Sequence, residues 1–433
     1  MPKTNDFLAE LGWRGLAKEQ SQGLAARLER GPISGYIGFD ASATSLHVGH
    51  LLQVFLLTHL QRSGGRPVVV IGGATGMIGD PSGKAGERRL LDDDTIRANA
   101  AAMRGQLDRF VDFSAGSSQA VMVDNRDWLG RYTMLDFLRE IGKHFTVPYM
   151  LSKDSVRQRL EAGMTFTEFS YMTLQAADFL HLHREQGVDL QMGGADQWGN
   201  ITAGLELIRR VEERDEDAEP SAFALCSPLL LTRDGQKMGK SERGAVFLDP
   251  ALTSPYEFFQ YWLNDDDALI ADHLRWLTLM DHDQVEGVLA AQAARPELRP
   301  AQRALALDLT ARIHGRDEAE RQVKVAEAAF SGEAIDDPEV LELLHRQVAG
   351  FAVNAELAKA EVLGFAVASG LYSSKGEARR AIAQGAFSVN GQRIGAPDAT
   401  IPPAIASGYW LVRAGRKRLS VGRSTALGKG EGS

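Results

Sequence analysis

A single cysteine, Cys226, among 433 residues excludes any disulfide within the chain. It fits a reducing compartment, with the cytoplasm as the expected setting. No apolar run reaches the roughly 18 residues that a membrane span requires. The opening stretch MPKTNDFLAELGWRG lacks the apolar core of a signal peptide and carries Asp6 and Glu10 instead. Internal repeats are missing. What remains is an ordinary globular composition, 44% hydrophobic and 24% charged. The length gives room for two or three domains.

Charge is unevenly spread. Residues 356–433 hold eleven Lys/Arg against five Asp/Glu, a balance of +6, so the rest of this −9 chain carries −15. A basic end on an acidic protein points to a polyanion contact confined to that end, or to a solvated face with no ligand.

The first 250 residues alternate strand and helix patterns. GYIGFD reads as a short strand, followed by a helix over about 46–61 that Gly64 and Gly65 stop. RPVVVIGG is the continuous β-branched run of a buried parallel strand. A helix over 93–110, the strand QAVMVDN, a helix over 166–183, the strand VDLQMGG and a helix from Gln197 follow. SPLLLTRDGQKM reads as a strand with an Asp-Gly turn. This order predicts a doubly wound, Rossmann-like α/β sheet with its ligand crevice at the carboxyl ends of the strands. Expected around it are a catalytic domain over 1–250 with an insertion at about 130–165, and a helical domain over 251–330. A linker over 331–355, a small α+β domain over 356–422 and a disordered tail over 423–433 complete the expected layout.

Two short stretches carry chemistry. In SATSLHVGHLLQ, His47 and His50 lie three apart at the head of an apolar helix pattern, with Gly49 between them. A helix start presents unpaired N–H groups and positive potential, so two imidazoles there suit a phosphate, and a glycine lets a flat base approach. Capping or surface histidines, or a metal pair, are the alternatives on this stretch alone. In QKMGKSE, Lys237 and Lys240 flank Gly239 just after a turn. Such a loop could close over a triphosphate and neutralise departing pyrophosphate. A solvated turn is the plain alternative. GGATGMIGDPSGK lacks the G-x-G-x-x-G spacing of a dinucleotide fingerprint, and it is no Walker A loop, because Ile78 stands at the first glycine position and Ala85 follows Lys84.

Taken together, HVGH and KMGKS resemble the two signatures of class I aminoacyl-tRNA synthetases, with Val for the usual Ile and Gly239 for the usual Ser. GGADQWGNI, FTEFSYM with Gln175 and Asp178 downstream, and GGATGMIGDPSG narrow the resemblance to the bacterial tyrosine-specific branch, across essentially the whole chain. That resemblance implies ATP as a substrate, with Mg²⁺ arriving on it and no dedicated metal ligands in the protein. It assigns the phosphates to His47, His50, Lys84, Arg88, Lys237 and Lys240. Tyr36 and Asp178 would hold a substrate phenol, while Asp80, Tyr171 and Gln175 would take its ammonium. Gln191 and Gln197 would lie near the amino acid and its carboxylate. Gly38, Asp40, Ser42, Gly49, Gly194 and Asp196 would line the nucleotide, with Asp196 on the ribose. The basic end, GLYSSKGEARRAIAQGAFSVNGQRI, resembles an S4-type RNA-binding unit, in which Lys375, Arg379, Arg380 and Arg393 would meet tRNA. Family members are homodimers joined near the insertion, which implies the same for GKHFTVPYMLSKDSV.

The residues also bear on rival readings. Small adenylyltransferases share His-x-Gly-His but lack a KMGKS loop and a basic RNA domain. A tryptophan-specific enzyme has no use for Tyr36 and Asp178 as phenol partners. A synthetase-derived RNA-binding or splicing factor would keep the basic end and lose polar site residues.

Overall fold

The computed structural model describes residues 6–80, 92–114, 116–160, 163–215, 217–241, 244–331, 335, 337–347, 350–406, 408–415 and 418–426. The chain forms two compact units. One comprises Met1–Thr253 with Asn264–Leu305, the other Ser254–Leu263 with Ala306–Ser433. The helical section expected over 251–330 is therefore divided between them.

The first unit is built on six strands: β1 (Glu19–Gln20), β2 (Ser34–Phe39), β3 (Arg66–Ile71), β4 (Val121–Asp124), β5 (Leu190–Gly194) and β6 (Phe223–Ser227). Their order is β1-β6-β5-β2-β3-β4. All neighbours run parallel except the short edge pair β1–β6. β3, β5 and β6 are almost wholly buried, as apolar runs covered on both faces should be. The helices Leu51–Arg62, Phe166–Gln186 and Trp198–Val211 supply much of that cover. The long one begins with a full capping box: the Thr165 hydroxyl accepts from Glu168 N–H, and Glu168 answers from its carboxylate. Chain order reverses between β2 and β5, so that gap is the topological switch point of the sheet.

Two expectations in this unit are corrected. The strand expected in SPLLLTRDGQKM lies one segment earlier, at Phe223–Ser227. Pro228 has no N–H to continue the ladder, and the following residues turn back through Gly235 N–H to Thr232 O, 2.8 Å, and a bridge between Leu231 and Lys237. The helix expected from 46 starts later: a 3₁₀ turn, Val48–His50, precedes the α-helix at Leu51. Among the described residues the insertion holds three short α-helices, Met134–Glu140, Val147–Leu151 and Asp154–Leu160, with a 3₁₀ turn at Gly142–His144. Beyond it, Lys240–Ser241 (β7) and Gly244–Ala245 (β8) form a minimal antiparallel pair.

The second unit centres on β9 (Gly350–Val353), β10 (Phe387–Val389), β11 (Gln392–Arg393), β12 (Tyr409–Ala414) and β13 (Arg418–Ser424), ordered β11-β10-β12-β13-β9. Residues read as a linker are structured. The helix Pro338–Gln347 buries Val340, Leu341 and Leu344 against Tyr409, Leu411 and Val421, and β9 pairs in parallel with β13. A second core is shared by Phe365, Ile382, Phe387, Val389, Trp410 and Val412. Residues 423 and 424, expected in the tail, belong to β13, and those from 427 onward lie outside the described residues.

Candidate active site

The switch point gathers the polar residues. Gly38 lies near the end of β2, with Asp40 and Ser42 just beyond it, and β5 delivers Gly194 into the turn that holds Asp196 and Gln197. Gly194 is buried, Asp40 and Asp196 are half-buried, and Gly38 and Ser42 are exposed. Pairing between β2 and β5 stops at Tyr36↔Gln191, so the two strands part beyond it and leave a crevice at their carboxyl ends.

The two signature stretches meet beside it. His47 caps the 3₁₀ turn: its Nδ1 accepts from Gly49 N–H at 3.1 Å, and its own N–H donates to His50 Nδ1 at 3.1 Å. The rings stack with centroids 3.9 Å apart. Because each Nδ1 accepts, a neutral ring carries its proton on Nε2, and that N–H is what each can offer to a phosphate. The KMGKS segment runs alongside, tied by Val48 N–H to Val246 O, Val246 N–H to Gly239 O and Leu248 N–H to Leu46 O, each 2.9 Å. A Cβ on Gly49 would sit 2.9 Å from Met238 O, so only glycine permits this approach. Gly239 adopts φ +131°, and a Cβ there would lie 3.3 Å from His47 Nδ1. Lys237 pairs through Nζ with the Asp196 carboxylate across the crevice. Lys240 opens β7, and its side chain lies outside the described residues, as do Lys84 and Arg88.

A second polar set centres on Asp178. Asp178 is 3% exposed, and two neutral donors hold it: Asn125 Nδ2 to Oδ2 at 2.9 Å and Trp128 Nε1 to Oδ1 at 2.7 Å. Asn125 is itself fixed, accepting from Ala74 N–H and donating to Thr75 Oγ1, both 2.8 Å. Burial pushes the Asp178 carboxyl up to about 7; the two donors oppose that and the Asp124 charge adds to it. Burial, followed by the Asp178 charge, raises the Tyr36 hydroxyl well above its ordinary range. Tyr36 Oη and Gln191 Oε1 are buried with no hydrogen-bond partner. Leaving such atoms unpaired costs about 1–3 kcal/mol each, so both suit a polar ligand group.

A third set is joined internally through side-chain amides. Gln197 Nε2 donates to Asp80 Oδ2 at 2.7 Å, while its Oε1 receives Asn200 at 3.2 Å and Gln175 at 3.4 Å. Tyr171 is buried one turn before Gln175 on the Phe166–Gln186 helix. Asn125 and Trp128 were not picked out from the sequence. The available signal was their place just after QAVMVDN, at the carboxyl end of a strand beside the crevice.

In the second unit, Lys375, Arg379 and Arg380 are exposed on the helix Lys375–Ala383, whose Ala378 and Ile382 are buried. Arg393 is exposed on β11, after a tight turn in which Asn390 and Gly391 both take positive φ. Other cations of this end serve the fold. Arg413 is buried and donates to Ala328 O at 2.8 Å, Arg418 donates to Leu371 O, and Arg423 pairs with Glu342 at 3.3 Å.

Known proteins resemble this chain over most of its length. A family model described as tRNA synthetases class I (W and Y) matches residues 28–331, and one described as the tyrosine–tRNA ligase SYY-like C-terminal domain matches 342–421. A tyrosine–tRNA ligase of Anaeromyxobacter dehalogenans is 48% identical over 421 residues, covering 96% of this chain and 99% of that protein. One from Geobacillus stearothermophilus is 41% identical, covering 95% and 98%. Among solved structures, a C-terminally truncated mitochondrial tyrosyl-tRNA synthetase of Aspergillus nidulans matches with a TM-score of 0.67 and 28% identity, over 75% of this chain and 94% of that one. The chain therefore belongs to the tyrosine–tRNA ligase family of class I aminoacyl-tRNA synthetases.

Proposed function

We propose that the crevice carries both half-reactions of a tyrosine–tRNA ligase, with the phenol of L-tyrosine between Tyr36 and Asp178. The observation that carries this reading is the buried, partnerless Tyr36 hydroxyl beside an Asp178 held only by neutral donors. Such a slot favours a ring with a para-hydroxyl, because an analogue lacking it leaves buried polar groups unpaired. Asp80, Tyr171 and Gln175 take the ammonium, Gln191 lies beside the amino acid and Gln197 near its carboxylate.

In the first step, a tyrosine carboxylate oxygen attacks the ATP α-phosphorus. The bond to the bridging oxygen breaks, and pyrophosphate leaves with the electron pair. A carboxylate needs no general base, so the residues act by placement and charge. His47 and His50 donate to the phosphates, and Lys237, Lys240, Lys84 and Arg88 neutralise the leaving group. Mg²⁺ comes in on ATP and shares that charge. Gly38, Asp40, Ser42, Gly49 and Gly194 border the nucleotide. Asp196 holds the ribose, and ATP would then take over the carboxylate that Lys237 now occupies. In the second step, a hydroxyl of the terminal adenosine of tRNA attacks the tyrosyl carbonyl, and AMP leaves.

Lys375, Arg379, Arg380 and Arg393 are assigned to the tRNA phosphates. A cytoplasmic setting is supported by the bacterial relatives and by the single cysteine. A homodimer joined at the insertion is supported by its exposed apolar side chains: Met134 is 69% exposed, Leu135 79% and Val147 58%.

Tyrosine-dependent exchange of pyrophosphate into ATP tests the assignment. Asp178→Ala should abolish it by loss of tyrosine binding. Lys237→Ala should slow adenylate formation with tyrosine affinity nearly intact. Unchanged exchange in Asp178→Ala would remove the slot from the mechanism.

A further inference from the structure

The Trp128 indole is gripped twice by one helix. Its edge N–H donates to Asp178 at 2.7 Å, and its face stacks on His181, centroids 4.5 Å apart and planes 14° from parallel. Asp178 and His181 lie three residues apart on Phe166–Gln186, hence on the same side of that helix in adjacent turns. The indole is buried while the imidazole is half-buried, so His181 separates the indole's outer face from solvent. Burial and the Arg131 charge lower the His181 pKa, against the Glu185 charge that raises it, which favours a neutral ring in the stack.

We infer that His181 is a positioning residue for substrate selection, acting through Trp128 to hold Asp178 in the orientation that receives the substrate phenol. The inference rests on the slot proposed above. The physical chain is short. Asp178 has two oxygens and two protein donors, one per oxygen. Asn125 is locked by backbone and Thr75, while Trp128 belongs to a buried core cluster and has the flat His181 ring against one face. Without an aromatic plane at 181 that face loses its flat support, and the indole can tilt toward the space left. The N–H to Oδ1 bond then lengthens, and the carboxylate turns away from the position fixed for the phenol. Aromatic pairs of this kind contribute enough for a severalfold to tenfold effect on binding.

The test uses the full-length protein and pyrophosphate exchange, with four variants. His181→Ala and His181→Leu, the latter filling the volume without a flat face, should each raise the tyrosine KM roughly three- to tenfold. Both should narrow the preference for tyrosine over phenylalanine, while the ATP KM stays within about twofold. His181→Phe should restore both values, since a plane rather than a charge is required. A merely structural role would lower the melting temperature and leave the tyrosine KM and the selectivity ratio untouched. Unchanged tyrosine KM in both His181→Ala and His181→Leu, or equal damage in His181→Phe, would overturn the inference. Asp178→Ala is the reference: if it leaves exchange intact, the slot itself is wrong, whereas a collapse there with silent His181 variants sinks only the role of His181.

Discussion

Asp178 is a carboxylate held by an amide and an indole, and its consequences appear in pH. Its carboxyl titrates near 7 in the folded chain against an ordinary value of 3.8. As an acceptor for the phenol it must be ionised. The tyrosine KM should therefore rise as pH falls below about 7, by close to tenfold per unit, while Asp178→Asn should show a flat, uniformly poor profile over the same range. Stability runs the other way. A carboxyl whose folded pKa is raised favours the fold when protonated, and that contribution is lost as pH rises from about 4 through about 7. The denaturant midpoint of the parent chain should thus fall relative to that of Asp178→Asn as pH rises from 5 to about 7, and level off above. At this scale the sequence was partly legible. Tyr36, Asp178 and Gln191 could be named by family pattern, but that Tyr36 Oη and Gln191 Oε1 would be buried without partners could not. Asn125 and Trp128 were illegible because their role depends on which strand end they follow, not on spacing within a motif.

Helices and loops set how the signatures meet. HVGH and KMGKS are about 190 residues apart, and each admits a plain reading alone. Backbone pairing through Val48, Val246 and Gly239 brings the two stretches side by side. The departure from the family pattern at Gly239 has a local reason, since φ +131° is a region that side chains rarely adopt. Gly239→Ala should strain the loop and crowd His47, slowing adenylate formation severalfold with tyrosine binding unaffected; stopped-flow measurement of the first step would read it. The strand in FALCS was missed in favour of its neighbour because both segments are apolar. Only the pairing of Leu190↔Phe223 through Gly194↔Ser227 decides between them. The long helix, by contrast, could be read to its first residue, because its Thr165–Glu168 cap is written in adjacent sequence.

The exposed apolar side chains of the insertion and the basic residues Arg379, Arg380 and Arg393 lie in different units. If Arg379, Arg380 and Arg393 meet phosphates, replacing all three with Ala should weaken tRNA binding. The slope of log affinity against log salt should become shallower by about one for each arginine that no longer neutralises a phosphate, with pyrophosphate exchange unchanged. If the insertion joins two copies, Leu135→Glu with Val147→Glu should yield a monomer by sedimentation, since each places a charge where an apolar side chain now stands exposed. Overall architecture was legible from alternation of patterns, but the internal boundaries were not, because a glycine-poor helical run gives no sign of which body each helix joins.

The early strand β9 bears on how the second unit can be isolated. It is laid parallel to the last strand, and Val325, Val340 and Leu344 share a core with Tyr409 and Val421. A fragment cut at residue 356 would be born with a bare, hydrogen-bonding edge at β13 and an uncovered apolar face, inviting self-association. Because Tyr256 packs on the same core and Ser254–Leu263 belongs to the same unit, scissors would have to fall upstream of residue 254 to spare all of it, so the piece that keeps the unit whole is far longer than the basic stretch suggests.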